Sequence, residues 1–114
     1  MKKEIVARLS KSFEEKTHME QGVEYWMARD IQEILEYNEW RNFNNVIEKA
    51  KIACQNASQI VKDHFVDVNK MVQTGSGSSR EIPDIRLSRY ACYLIAQNGD
   101  PHKEAIAFAQ SYFA

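Results

Sequence analysis

The stretch that most restricts what this chain can become is Leu87–Pro101, LSRYACYLIAQNGDP. From Tyr90 to Ala96 every residue is apolar or aromatic. That arc is too wide for a helix with a single packed stripe, so the segment is predicted to be a helix covered on several sides. Ser88 is placed to cap its start. Asn98 and Gly99 suit a left-handed C-terminal cap. Asp100 and Pro101 suit the N-cap and first-turn proline of a final helix, Pro101 to Phe113, burying Ala105, Phe108, Ala109 and Tyr112. The chain is therefore expected to turn sharply and pack back on itself.

A central helix of this kind needs enough chain around it, and 114 residues at 44% hydrophobic content suffice for one domain. The net charge of −1 announces neither a nucleic-acid nor a membrane partner in bulk. Its distribution is uneven: Glu20 to Glu39 holds six acids against Arg29, whereas Arg41, Lys49, Lys51 and Lys62 outnumber Glu48 in the segment that follows. Cys54 and Cys92 fall on apolar helix faces without CxxC or metal spacing, which reads as two buried thiols in a reducing compartment. The opening MKKEIVARLSKSFEEK is charged throughout, unlike a signal peptide, and no apolar run approaches membrane-spanning length. A cytoplasmic location with no membrane partner is expected. The ending AFAQSYFA has no helix stop, so residues 1–114 are read as a single domain belonging to a longer protein.

Along the chain, Ile5, Leu9 and Phe13 repeat every four residues and predict an amphipathic helix from Glu4 to Lys16. EKTHMEQG reads as a turn ending at Gly22, and Val23–Trp26 as a brief strand. Ile31, Ile34 and Leu35 predict a helix over Ala28–Tyr37, and Asn38–Glu39 a two-residue turn. Trp40, Phe43, Ile47, Ala50 and Cys54 then give a third helix a strong apolar seam. Ser58 is expected to cap a further helix running to Gln73, because Val61, Phe65, Val68 and Val72 share a helical face; a strand over Phe65–Met71 is the alternative. TGSGSS, Thr74–Ser79, reads as a flexible loop. Asp84–Leu87 is predicted to be an edge strand, given Pro83, paired with Val23–Trp26. The expected fold is α+β and mostly helical, about five or six helices with a small two-stranded sheet.

The tight helix pair from Ala28 to Ala53 is the most informative arrangement for function. A closely joined second helix can be presented to a DNA groove. Its polar side displays Arg41, Asn42, Asn44, Asn45, Lys49 and Lys51. Asparagine can donate and accept at an adenine edge, arginine can pair with guanine, and lysine neutralises phosphate. Lys70 and Arg80 flank the TGSGSS loop and could grip a backbone as a wing would. That loop lacks the Lys-Ser/Thr pair of a phosphate-binding loop. His18, His64 and His102 lie in different elements, with no metal spacing and no Ser-His-acid or Cys-His signature. No catalytic residue, metal site or cofactor is expected, and Ser88 reads as a cap, not a nucleophile.

The runs ARDIQEILEYNEWRNFNNVIEKAKIAC, DHFVDVNKMV, TGSGSSREI and LSRYACYLIAQNGDPHKEAIAFAQSYFA resemble the N-terminal region of the bacterial DNA-damage-inducible protein D family over roughly residues 15–114. That family is similar in turn to the Bro-N domain of viral and phage antirepressor-type proteins. The matching pieces would be a strand at Glu24–Met27, helices at Arg29–Tyr37 and Trp40–Asn56, a strand at Ile85–Leu87 and a helix at Ser88–Asn98. The resemblance implies a non-enzymatic N-terminal domain, DNA-binding or DNA-associated, of the SOS response. DNA, single- or double-stranded, and the RecA filament would be its partners, and a homodimer is admitted. The slightly acidic charge and the scarcity of arginine depart from a typical duplex reader.

Overall fold

The computed structural model describes residues 1–114. In chain order these form α1 (Lys3–Glu15), β1 (His18–Glu20), β2 (Val23–Met27), α2 (Ala28–Ile34), α3 (Trp40–Asn56), the short α4 (Val61–His64), β3 (Phe65–Gln73), β4 (Ser79–Leu87), α5 (Arg89–Gln97) and α6 (Glu104–Tyr112). The strands make one antiparallel sheet in the order β1-β2-β4-β3. Six helices falls within the five or six expected, but the sheet has four strands, not two.

The largest correction is at residues 58–73. Ser58 does not cap a helix start; at φ 62 it closes the end of α3, its N–H bonding Gln55 C=O while Gln59 N–H reaches Cys54 C=O. That pair of bonds is the Schellman pattern. After one turn of α4 the chain extends, and β3 pairs with β4 from Phe65↔Leu87 to Gln73↔Ser79. Val61, Phe65, Val68 and Val72 satisfy a helical repeat, yet β-branched residues flanked by polar ones serve a half-exposed strand equally well. TGSGSS is accordingly the hairpin connection, with Ser76 and Gly77 both at positive φ.

β4 is a central strand despite Pro83. Opposite residues in an antiparallel pair point their backbone groups either both inward or both outward. Pro83 C=O accepts from Arg29 Nε at 2.9 Å, on the side away from β3. Its missing N–H would have pointed the same way, past the end of β2, so no ladder bond is lost. The predicted pairing with β2 is present as Trp26↔Leu87 and Met27↔Arg86. EKTHMEQG holds a strand that the periodicity did not disclose: β1 and β2 are joined by Gln21 and Gly22, both at positive φ, as a two-residue primed turn requires.

α5 lies at the centre, as its composition demands. Ala91, Cys92, Leu94, Ile95 and Ala96 are all buried, and the helix packs on α3, α6 and strands β2 and β4. Ser88 caps it by accepting from Ala91 N–H at 3.0 Å. The expected left-handed cap at Asn98–Gly99 is absent, for Asn98 has φ −98. Gly99 leaves room for Ile106 instead: a Cβ there would lie 2.7 Å from Ile106 Cδ1, so a larger residue would have to displace that side chain. α6 also begins later than expected, because Asp100–Lys103 forms a separate turn in which Asp100 Oδ1 accepts from His102 N–H at 2.9 Å.

α1 closes the far side of the core. Phe13 stacks on Tyr112 at 5.0 Å and meets Phe113 edge-on at 4.9 Å, and its C=O accepts from Trp26 Nε1 at 3.0 Å. Burying each such ring is worth roughly 2–3 kcal/mol. No helix is long and apolar enough to cross a membrane.

Candidate nucleic-acid interface

α2 starts without a capping side chain of its own, since Met27 precedes it. Asp84 of β4 supplies the acceptor. Its buried carboxylate takes Arg29 N–H at 3.0 Å and Ile85 N–H at 2.8 Å, meeting the positive end of the helix. Arg29 then spreads over Trp40 at 4.0 Å, so α2, the start of α3 and β4 are fastened at one point.

The helix pair is real, but its joint is longer than two residues. α2 ends at Ile34, and Glu36 at φ 63 makes another Schellman closure, with Tyr37 N–H bonding Gln32 C=O at 3.0 Å. Lys103 Nζ reaches Glu36 C=O at 3.3 Å and lies 3.9 Å from the Tyr37 ring centre. Burial, and after it the Asp100 charge, push the Tyr37 phenol above its ordinary pKa. The joint is thus held by the α5–α6 turn.

α3 buries Phe43, Ile47, Ala50 and Cys54, as its seam predicts. Its other residues fall on three lines along the helix. Arg41, Asn45, Glu48 and Ile52 run along the outermost line, all exposed, with Ile52 at 58%. Asn42 and Lys49 lie on one flank, also exposed; Asn44 and Lys51 lie on the other, half-buried. Lys51 Nζ is 3.5 Å from Glu48 Oε1, so one predicted phosphate contact is already engaged by a carboxylate. Arg41 and Lys49 form no ion pair.

Lys70 and Arg80 belong to a different surface. Alternation along β3 and β4, with Lys70 opposite Ile82 and Arg80 opposite Val72, puts both cations on one face of the hairpin. That face also carries Val66, Val68, Val72, Ile82 and, nearer the body, Arg86 and the buried Asp84. Arg86 is occupied: its Nη2 is 2.9 Å from Glu20, and its guanidinium lies 3.9 Å from the Tyr25 ring centre. The acids Asp67 and Glu81 point to the opposite face. The hairpin and α3 are separate elements, so the eight predicted contact residues divide into an α3 group of six and a hairpin pair.

Arg29, Asp84, Arg86 and Arg89 organise this architecture, and sequence patterns missed all four. Arg89 is gripped by both carboxylate oxygens of Glu24 and donates to Tyr112 C=O at 3.0 Å. Its partners lie 65 and 23 residues away, and no local spacing signals such pairs. His64 Nδ1 and Ser88 Oγ share a hydrogen bond of 2.7 Å, while Ser88 N–H also donates to His64 C=O. Ser88 Oγ is the α5 cap, so the pair serves as a clasp between the root of β3 and α5.

No solved structure matches this chain. Residues 15–114 match the BRO family, N-terminal domain. The chain is also 50% identical over 93 residues, 82% of its length, to DNA damage-inducible protein D of Escherichia coli (strain K12). It spans 34% of that relative. With the strand, helix pair, strand and central helix in the order set out above, this chain belongs to the BRO family through its N-terminal domain.

Proposed function

We propose that this domain binds DNA directly and acts as a regulatory module of the bacterial DNA-damage (SOS) response, modulating RecA-dependent recombination by binding and not by catalysis. The observation that carries the reading is the set of unengaged cations on two exposed surfaces: Arg41 and Lys49 on α3, Lys70 and Arg80 on the hairpin. Exposed cations without carboxylate partners release counterions when they meet phosphate, which supplies most non-specific affinity. Asn42 and Asn45 stand exposed beside the α3 pair and offer donors and acceptors to base edges. The name of the Escherichia coli relative supports the DNA-damage context.

Fluorescence anisotropy with single- and double-stranded oligonucleotides at several salt concentrations tests it. Replacing Arg41, Lys49, Lys70 or Arg80 by alanine should each lower the salt slope by about one. Lys51→Ala should change it less, because Glu48 already engages that ammonium. Undetectable binding at low salt, or affinity unchanged in the fourfold variant, overturns the proposal.

A second reading, docking on a recombination protein without DNA contact, is favoured by the cleft between α1 and α2. Glu15, Asp30, Glu33 and Glu36 line it against Arg8 and Lys16. Capture of RecA by the domain in nuclease-treated solution, lost on Glu33→Lys, would support that reading over the first.

A further inference from the structure

β3 is an outer strand nine residues long, and nothing in the fold covers its free side. Which backbone groups face outward follows from three bonds. Ser88 N–H bonds His64 C=O, and Thr74 N–H bonds Ser78 C=O, so even-numbered residues turn toward β4. Pro83 C=O faces away from β3, so its opposite residue, Asn69, faces away from β4. The N–H groups of Asp67, Asn69, Met71 and Gln73 therefore line an open edge, together with their carbonyls.

Soluble proteins normally blunt such edges with brevity, proline, bulges or charge. The opposite edge of this sheet is blunt: β1 has three residues and ends in Glu20. β3 has no proline and no break in its register; its two charges, Asp67 and Lys70, are of opposite sign, and Val66 and Met71 are 42% and 59% exposed.

We infer that β3 pairs antiparallel with β3 of a second copy of this chain, about a two-fold axis through Asn69. Opposite residues must share a face, so the axis has to pass through a residue and not between two. An axis at Asp67 or Lys70 would set that charge against its own copy. An axis at Asn69 lies at the midpoint of Phe65–Gln73 and uses the whole strand. Val66 then faces the partner's Val72, Val68 the partner's Lys70, Asp67 the partner's Met71, and Asn69 its own mate; no like charges stand directly opposite, and the two Lys70 residues are diagonal neighbours. A central β4-β3-β3-β4 antiparallel arrangement results, with the Lys70 and Arg80 of both copies on one face. The inference stands apart from the nucleic-acid reading and needs no DNA in its test.

Sedimentation equilibrium up to near-millimolar protein should show a monomer–dimer equilibrium. Asn69→Pro should abolish it: the N–H it removes points outward, so the β3–β4 ladder survives, as circular dichroism will report. Met71→Pro provides the same test if the first variant does not fold. Asn69→Cys should oxidise to a disulfide-linked dimer, because facing Cα atoms in such a pair lie about 5.5 Å apart. Lys70→Cys should not, since its copy is a diagonal neighbour at about 7–8 Å. A monomer at every concentration, a dimer indifferent to both prolines, or cross-linking at Lys70→Cys but not at Asn69→Cys overturns the inference.

Discussion

Residues 66–83 contain no buried side chain, whereas the remainder of the chain supplies all 22 members of a single apolar core. The outer hairpin and the body are held by different forces. Helices α1, α3, α5 and α6 bury rings and aliphatic chains against the root of the sheet, and their stability comes from area removed from water. Beyond Phe65 and Asp84 the hairpin has cross-strand hydrogen bonds and half-exposed valines, which stabilise a two-stranded ribbon only marginally. It persists because its root is part of the body. Such an arrangement frees the outer surface from packing duty, which is where ligand-facing residues can be changed at little cost.

Substitutions should separate the two regions sharply. Trp26→Ala removes a fully buried ring and its bond to Phe13, and should cost about 3–5 kcal/mol in urea unfolding. Asp84→Ala strikes the seam, leaving the Arg29 and Ile85 N–H groups without their acceptor; about 1–3 kcal/mol should be lost, with faster hydrogen exchange in α2 and the hairpin together. If α2 loses protection and the hairpin does not, the two are less coupled than Asp84 implies.

Alkaline pH tests the body alone. Burial raises the Cys92 thiol well above its ordinary pKa, and Cys54 in the same direction. The folded state then holds protons that the unfolded chain releases above about pH 8.5, so stability is complete below that pH and falls as pH rises past it. The slope should not exceed about 1.4 kcal/mol per pH unit for each thiol, and Cys92→Ala should flatten it. Glu36→Gly should raise the unfolding free energy by about 0.5–1 kcal/mol in urea unfolding, because glycine accepts positive φ without the steric cost borne by glutamate. Smallest of all, Lys70→Ala with Arg80→Ala should move stability by less than about 0.5 kcal/mol while lowering DNA affinity. A larger loss of stability would show that the hairpin cations have a structural duty.

The same contrast explains which elements could be read in advance. In the body, Ile5–Leu9–Phe13 and Phe43–Ile47–Ala50–Cys54 are unambiguous because a helix packed on one side must repeat its apolar residues every three to four positions. Ser88 could be read as a cap because its partner lies three residues away. At α4 and the hairpin, Val61, Phe65, Val68 and Val72 imitated a helix, since the outer part of the strand has no buried face whose strict alternation would contradict it. The α3 polar side was recognised from its composition, but the pairing of Lys51 with Glu48, and the placing of Lys70 and Arg80 on another element, were not evident from spacing.

Residue order along α1, α3 and α5 was sufficient to set their helical state and inward faces, because hydrogen bonds within a helix and the hydrophobic stripe are both local. The sheet was decided otherwise. Whether Phe65–Gln73 became strand or helix, where Asp84 found a helix to cap, and which edge was left bare all depended on pairings with other segments, from Gln73↔Ser79 at the hairpin end to Trp26↔Leu87 across most of the chain. Backbone groups in a strand must find partners on another segment, so their outcome is settled only when the whole chain has packed.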